Sequence, residues 1–280
     1  MPTTSPRPSA GMWASLPQGR TWYQKAGPEQ GAPVVLIHGF SVPSCVWDGT
    51  FEHLVQAGFQ VLRYDLYGRG RSDRPHCDYG LDCYVAQLAA LLDAIPWRMP
   101  VGLVGLSMGG PIAAAFTAAY PQRVRSVALL DPVVEGVPLP WKQRLLAVPV
   151  LGEWLLRLTG KQRLSEGLRN DFFRPERMPS SLPARYRAYM DTGFFRALYL
   201  SVRHGMLGDH RAVFQALGQR LVPVLALWGA EDRTVPPSQA ETLQSLVPHA
   251  VVKLIPQAGH LPHLEQPDLV HPLLASFLAP

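Results

Sequence analysis

Val101-Gly102-Leu103-Val104-Gly105-Leu106-Ser107-Met108-Gly109-Gly110, running on into Pro111–Tyr120, decides how the rest of the chain is read. Six apolar residues read as a buried strand, and the Ala-rich stretch after Gly109 as a small-residue helix. Between them stands Ser107, with Gly105 two residues before it and Gly109 two residues after. Glycines at those places permit a sharp, strained turn that lifts a serine hydroxyl off the end of a strand. A bare Gly-x-Ser-x-Gly is weak, since roughly one chain in ten of this length carries it by chance at average Gly and Ser usage. The strand–turn–helix setting is what gives it meaning.

Working outward, the same alternation continues on both sides. Short β-branched runs at Val34–His38, Val61–Leu66, Val101–Ser107, Val127–Asp131, Val222–Trp228 and Val251–Ile255 predict buried parallel strands. Helical spacing at Tyr84–Ile95, Gly109–Tyr120 and Pro237–Leu246 predicts the crossovers between them, so the fold class is α/β with helices on both faces of the sheet. Met12–Leu16 and Thr21–Lys25 predict an antiparallel hairpin at the sheet edge. From Val133 to about Gly205 strand character vanishes, and helical pieces are punctuated by six prolines from Pro138 to Pro183. This predicts a core of residues 1–132 and 206–280, with 133–205 inserted between strands six and seven.

A serine hydroxyl needs a base. Of nine histidines, His260 follows the last strand in Gln257-Ala258-Gly259-His260, where Gly259 lets the chain turn the imidazole over the strand ends. His263 is its nearest rival and is expected at the surface or a rim; His38 is expected to order the loop after the first core strand. The base needs a carboxylate to orient it. Asp232, in Trp228-Gly229-Ala230-Glu231-Asp232, gives the chain order Ser, Asp, His; Asp131, after the preceding strand, is the competing candidate. Charge developing on an attacked carbonyl oxygen needs backbone donors. The N–H groups of Met108, opening the helix after Ser107, and of Phe40, in His38-Gly39-Phe40-Ser41, are the expected pair.

Taken together, His38-Gly39-Phe40, the run Asp65–Pro75 (DLYGRGRSDRP), Gly105–Gly110, Trp228–Asp232 and Ala258-Gly259-His260 resemble the α/β-hydrolase superfamily. More narrowly they resemble its branch of esterases, monoacylglycerol lipases and carbon–carbon-bond hydrolases. The likeness covers about residues 30–132 and 220–280, and it implies a helical cap for the insertion. It implies Ser107, Asp232 and His260 as a catalytic triad and Phe40 and Met108 as an oxyanion hole, with no metal and no organic cofactor. Asp65, Gly68, Gly70 and Ser72 match a loop of the family without a chemical role. A serine at the turn argues against the dehalogenases and epoxide hydrolases of the fold, which carry aspartate there. Leu106, and Ser41–Ser44 in place of a glycine-rich stretch, weaken the carbon–carbon reading. The expected reaction is hydrolysis of short- to medium-chain acyl esters or monoacylglycerols through an acyl-enzyme. The alternatives are carbon–carbon cleavage of a vinylogous diketone and, from another class, a non-catalytic ligand receptor; the full set of triad residues speaks against the last.

Composition bounds the rest. Of 280 residues, 47% are hydrophobic and 17% charged, enough apolar material for a sizeable core. No run approaches the roughly 18 apolar residues of a membrane span. The opening MPTTSPRPSAG lacks the apolar centre of an export signal, which predicts a cytoplasmic protein. Cys45, Cys77 and Cys83 form no disulfide framework and read as free thiols, with a Cys77–Cys83 bridge left open. The net charge of +5 is concentrated in residues 133–205, where twelve Lys/Arg face six Asp/Glu. No interleaved basic and aromatic pattern suggests nucleic acid, so the expected partner is a small apolar ester, with at most peripheral contact with a lipid surface. Of Trp141, Leu145, Leu146, Trp154, Leu155, Leu158, Phe172, Phe173, Phe194, Phe195 and Tyr199 in the insertion, most are expected to pack it onto the core, and collectively they favour an apolar acyl pocket.

Overall fold

The computed structural model describes residues 11–97, 100–137 and 151–280. Eight strands form one sheet: β1 (Met12–Leu16), β2 (Gly19–Ala26), β3 (Pro33–Ile37), β4 (Gln60–Tyr64), β5 (Val101–Leu106), β6 (Val124–Leu130), β7 (Val224–Gly229) and β8 (Val251–Ile255). Their spatial order is β1-β2-β4-β3-β5-β6-β7-β8. The β1–β2 hairpin pairs antiparallel onto β4, and every other pairing is parallel. All predicted strands are present; most bounds move by one to three residues, because a run's apolar composition continues past its last ladder bond.

The central strands bury both faces, as their unbroken apolar runs require. Successive side chains alternate between two cores. Val35, Ile37, Leu103, Val127, Leu129, Ala226 and Trp228 pack on one face under α2 (Leu81–Ala94), α3 (Gly109–Ala119), α7 (Arg211–Gly218) and α8 (Gln239–Leu246). Val34, Leu36, Val104, Leu106, Ala128, Leu130 and Leu227 face the other way, against α1 (Asp48–Gln56) and α10 (Pro267–Leu278). The chain leaves the sheet between β6 and β7 and forms α4 (Leu151–Asn170), α5 (Leu182–Arg187) and α6 (Thr192–Arg203). Phe172, Leu182, Tyr186, Phe194, Phe195, Leu198 and Tyr199 from this stretch join the second core. Trp141, Leu145 and Leu146 lie outside the described residues, as do the side chains of Trp154 and Leu155.

Close backbone approach explains the glycines around Ser107. A Cβ on Gly105 would lie 2.4 Å from the carbonyl oxygen of Gly109, and one on Gly109 would lie 2.4 Å from that of Ile37. The first helical turn of α3 is thereby pressed onto β3 and β5. We expect Gly105→Ala to destabilise the protein by about 1–3 kcal/mol, the usual cost of overpacking, because the clash is with backbone and cannot be relieved by a rotamer. Urea titration against the parent chain measures this; an unchanged midpoint would show that the turn can yield.

Candidate active site

Five loops at the carboxyl ends of parallel strands converge, the place where open α/β sheets bind ligands. Ser107, directly after β5, has φ +54°, in the left-handed region that non-glycine residues seldom occupy. It is held there by Ser107 N–H donating to Leu130 O at 2.8 Å and by Gly110 N–H donating to Ser107 O at 2.9 Å. The hydroxyl-bearing residue is 6% exposed and lines a cavity of about 170 Å³. His260 lines the same cavity.

Asp232 sits in the loop after β7. Its Oδ2 accepts from His260 Nδ1 at 2.7 Å, while Oδ1 accepts from the backbone N–H groups of Thr234 at 2.7 Å and Val235 at 3.0 Å. Three donors therefore fix the carboxylate, and the Nδ1 contact leaves Nε2 as the free ring nitrogen. The loops of β7 and β8 interlock through Gly229, where a Cβ would fall 1.9 Å from Gly259 O. Glu231 N–H donates to Ala258 O, and Glu231 Oε2 accepts from Ala258 N–H.

The His260 backbone is also held from the insertion and from α9 (Pro262–Glu265). Its N–H donates to Asp171 O at 2.7 Å. The buried Glu265 carboxylate accepts from Gly259 N–H at 2.7 Å, Arg174 N–H at 2.8 Å and Phe173 N–H at 3.1 Å, tying the histidine loop to residues 173–174. Asp171 and Glu265 were not singled out from sequence. Glu265 meets residues 173–174 and Asp171 meets His260 and Thr234 across about 60–90 residues of chain, so no local pattern marks them.

Asp131 is the surprise of the site. Rather than only leading the chain into the insertion, it is fully buried at φ +44°, and a carboxylate oxygen lies with those of Asp232 and a ring nitrogen of His260 within 4.8 Å. Its Oδ1 accepts from Gly229 N–H at 2.7 Å; among the described residues Oδ2 has no hydrogen-bond partner. Among the described residues this is the one group of such side chains close enough to hold a metal ion, but His260 and Asp232 already use donor atoms on each other. Burial, reinforced by the adjacent Asp232 charge, pushes the Asp131 carboxyl well above its usual range. For His260, burial disfavours the charged ring, but Asp232, Asp171 and Asp131 outweigh it and raise the imidazole above its ordinary 6.5.

The two expected oxyanion donors lie beside Ser107. Met108 caps the start of α3, and Phe40 lines the cavity; among the described residues neither N–H is taken by a protein acceptor. A Cβ on Gly39 would come within 3.3 Å of Ser107 Cβ, so glycine keeps this loop against the serine. His38 orders the loop, as expected. Leu66 N–H donates to its Nε2 at 3.0 Å, so the proton resides on Nδ1, which donates to Gly39 O at 2.8 Å. Burial lowers its pKa to about 3, which keeps this tautomer neutral.

Two expectations are corrected. His263 is buried rather than at a rim: its Nε2 contacts Val46 O at 3.1 Å and its ring stacks 4.7 Å from Trp47. Phe172, Phe194, Phe195 and Tyr199 do not line the cavity but are packed in the second core, and Leu158 and Phe173 are exposed; among the described residues Val137, Leu164, Gly167, Leu168 and Asp171 supply the insertion's share of the wall. Large rings there fill the space between helices and sheet, and smaller side chains are left to border the void.

Lipase 3 from Moraxella sp. (strain TA144) is 26% identical over 242 residues, which cover 84% of this chain and 73% of that protein. The pimeloyl-(acyl-carrier protein) methyl ester esterase of Nitrosomonas europaea is 29% identical over 248 residues, 85% of this chain and 92% of its own. Among solved structures, Cfl2 from Burkholderia cenocepacia superposes with a TM-score of 0.80 at 27% identity, over 96% of this chain and 95% of that one. The family model described as alpha/beta hydrolase fold matches residues 32–267. With the sheet order, the turn at Ser107 and this match in agreement, the chain belongs to the alpha/beta hydrolase fold family.

Proposed function

We propose that the protein is a serine hydrolase of carboxylic esters. The observation that carries the reading is one cavity shared by a serine on a strained turn and a histidine fixed to Asp232 at 2.7 Å. Ser107 Oγ attacks the ester carbonyl as His260 Nε2 takes its proton. The N–H groups of Phe40 and Met108 receive the oxyanion, and Asp232 stabilises the imidazolium. The protonated His260 then gives the proton to the departing alcohol, and a water activated by the same nitrogen releases the acid. The relatives named lipase and methyl ester esterase support ester chemistry. Residues 133–205 act as a cap in this reading, with Leu164 and Leu168 bordering the acyl chain and most arginines of that stretch turned to solvent.

Ser107→Ala is expected to lose about 10⁴-fold or more in kcat/KM on p-nitrophenyl butyrate with the fold intact. Asp232→Asn should cost about 10³–10⁴-fold, since an amide cannot hold the required tautomer. Asp131→Asn should cost far less, because its amide oxygen can still accept from Gly229 N–H. A crippled Asp131→Asn beside an active Asp232→Asn would reverse the assignment of the acid.

The neutral ring is the base, and the three nearby carboxyl groups favour the charged one. The acid limb of kcat/KM is therefore expected to have its midpoint above pH 6.5, with activity increasing as pH rises through it. Asp232→Asn, measured at high enzyme concentration, should move that midpoint down. A midpoint at or below 6.5 in the parent protein would contradict the electrostatic account.

Cavity size sets the acyl preference. A space of about 170 Å³ is close to the size of an engineered apolar cavity that accepts benzene. Each buried methylene is worth about 0.8 kcal/mol, a factor of roughly four. The specificity constant for p-nitrophenyl esters should rise from acetate through butyrate and level off at about six carbons. A steady fall from acetate upward would reject the acyl-pocket assignment and leave the triad untouched.

A further inference from the structure

The loop Asp65–Pro75 has no chemical role in the reading above, yet Arg69 in its centre is 0% exposed. Its Nε donates to Phe40 O at 2.9 Å, Nη1 to Tyr84 Oη at 2.8 Å and Tyr67 O at 3.4 Å, and Nη2 to Ser201 Oγ at 2.9 Å. No carboxylate among the described residues lies within ion-pair distance of it. The guanidinium carbon also stands 5.6 Å from the centre of the Phe40 ring. Glycines at φ +77° and +49° on either side, Gly68 and Gly70, let the loop double back and bury the side chain.

We propose that Arg69 is a positioning residue for the oxyanion loop and the link through which α6 sets that loop. The inference rests on Phe40 N–H being an oxyanion donor. Two successive peptide units must be fixed for that N–H to face the cavity. His38 Nδ1–H holds the first through Gly39 O, and Arg69 Nε–H holds the second through Phe40 O. A hydrogen bond to a peptide carbonyl also polarises the chain of dipoles behind it. With its charge balanced by neutral oxygens alone, the guanidinium adds a positive field on the side of the loop where negative charge forms. Ser201 belongs to α6, and its hydroxyl further contacts Tyr84 Oη at 2.9 Å and donates to Tyr79 O at 3.1 Å. A shift of α6 is thereby transmitted to the donor peptide. Each nitrogen of Arg69 thus donates to an oxygen of the protein.

The test uses the full chain and p-nitrophenyl butyrate, with a trifluoromethyl ketone as a probe that becomes an oxyanion on the serine. Arg69→Lys keeps the charge but cannot span Phe40, Tyr84 and Ser201. It should lower kcat by about ten- to a hundredfold, somewhat less than outright removal of an oxyanion donor, with KM within about threefold. Ketone affinity should fall in parallel with kcat/KM. Ser201→Ala, which removes one arm, should lower kcat a few-fold in the same pattern and keeps the test decisive if Arg69 variants do not fold. Parental kcat and ketone affinity in folded Arg69→Lys, or in Ser201→Ala where the former is not obtained, would overturn the proposal alone. A loss confined to thermal stability, with kcat and ketone affinity per folded molecule unchanged, would overturn it too. A parent protein whose Ser107 is not labelled by a fluorophosphonate would remove the serine-hydrolase reading and this proposal with it.

Discussion

Ser107 occupies left-handed backbone at the point where β5 becomes α3, a conformation that costs a non-glycine residue on the order of 1–3 kcal/mol. The surroundings hold it there. Gly105 and Gly109 let the helix come within backbone contact of β3 and of its own strand, and Leu130 O receives the serine N–H. The same approach brings Gly39 against the serine side chain and leaves the N–H of Met108 without a partner among the described residues. One local strain thus sets three things together: the exposure of a hydroxyl, the free N–H behind it, and the distance to the loop after β3.

Charge around His260 is managed by unequal means. Asp232 receives two backbone N–H groups as well as the imidazole. Asp131 has one backbone donor and, among the described residues, an oxygen with none, and burial beside Asp232 pushes its pKa well above the usual carboxylate range. Asp171 also tends to the neutral form through burial, while Thr234 Oγ1–H donates to its Oδ1 at 2.7 Å. Burial thus opposes the negative charge of Asp131 and of Asp171 beside the ring. The backbone donors differ as well, two at Asp232 against one at Asp131.

The parts of the fold governed by local rules were legible in the sequence. Buried strands follow from short β-branched runs, the turn at Ser107 from two glycines, and the break at Val133 from the loss of alternation and the spacing of prolines. The loops carrying Asp232 and His260 could be read because a strand end followed by glycine is itself a local signal. What was not legible depends on pairs far apart in the chain. Glu265 holds Gly259 and residues 173–174, Arg69 joins Phe40 to Ser201, and His263 is buried by Trp47 and Val46. Which residues of the insertion border the cavity is likewise not legible, because composition reports how much apolar surface there is, not which side of a helix it covers.

Core and insertion are bound to the site by different kinds of interaction, with different consequences for change. On the core side, glycines bring backbones to distances that no side chain could share, so the serine, its helix and the loops of β7 and β8 have little freedom. On the insertion side, the links to the site are individual hydrogen bonds. Glu265 receives the N–H groups of Phe173 and Arg174, Asp171 O receives that of His260, and Ser201 receives a guanidinium N–H. Such bonds fix orientation at a few points, and buried rings such as Phe194 and Phe195 pack the insertion onto the second core. Leu164 and Leu168, which border the cavity, take part in none of these described hydrogen bonds. The wall that would meet a substrate can therefore change its shape without disturbing the bonds that hold the histidine.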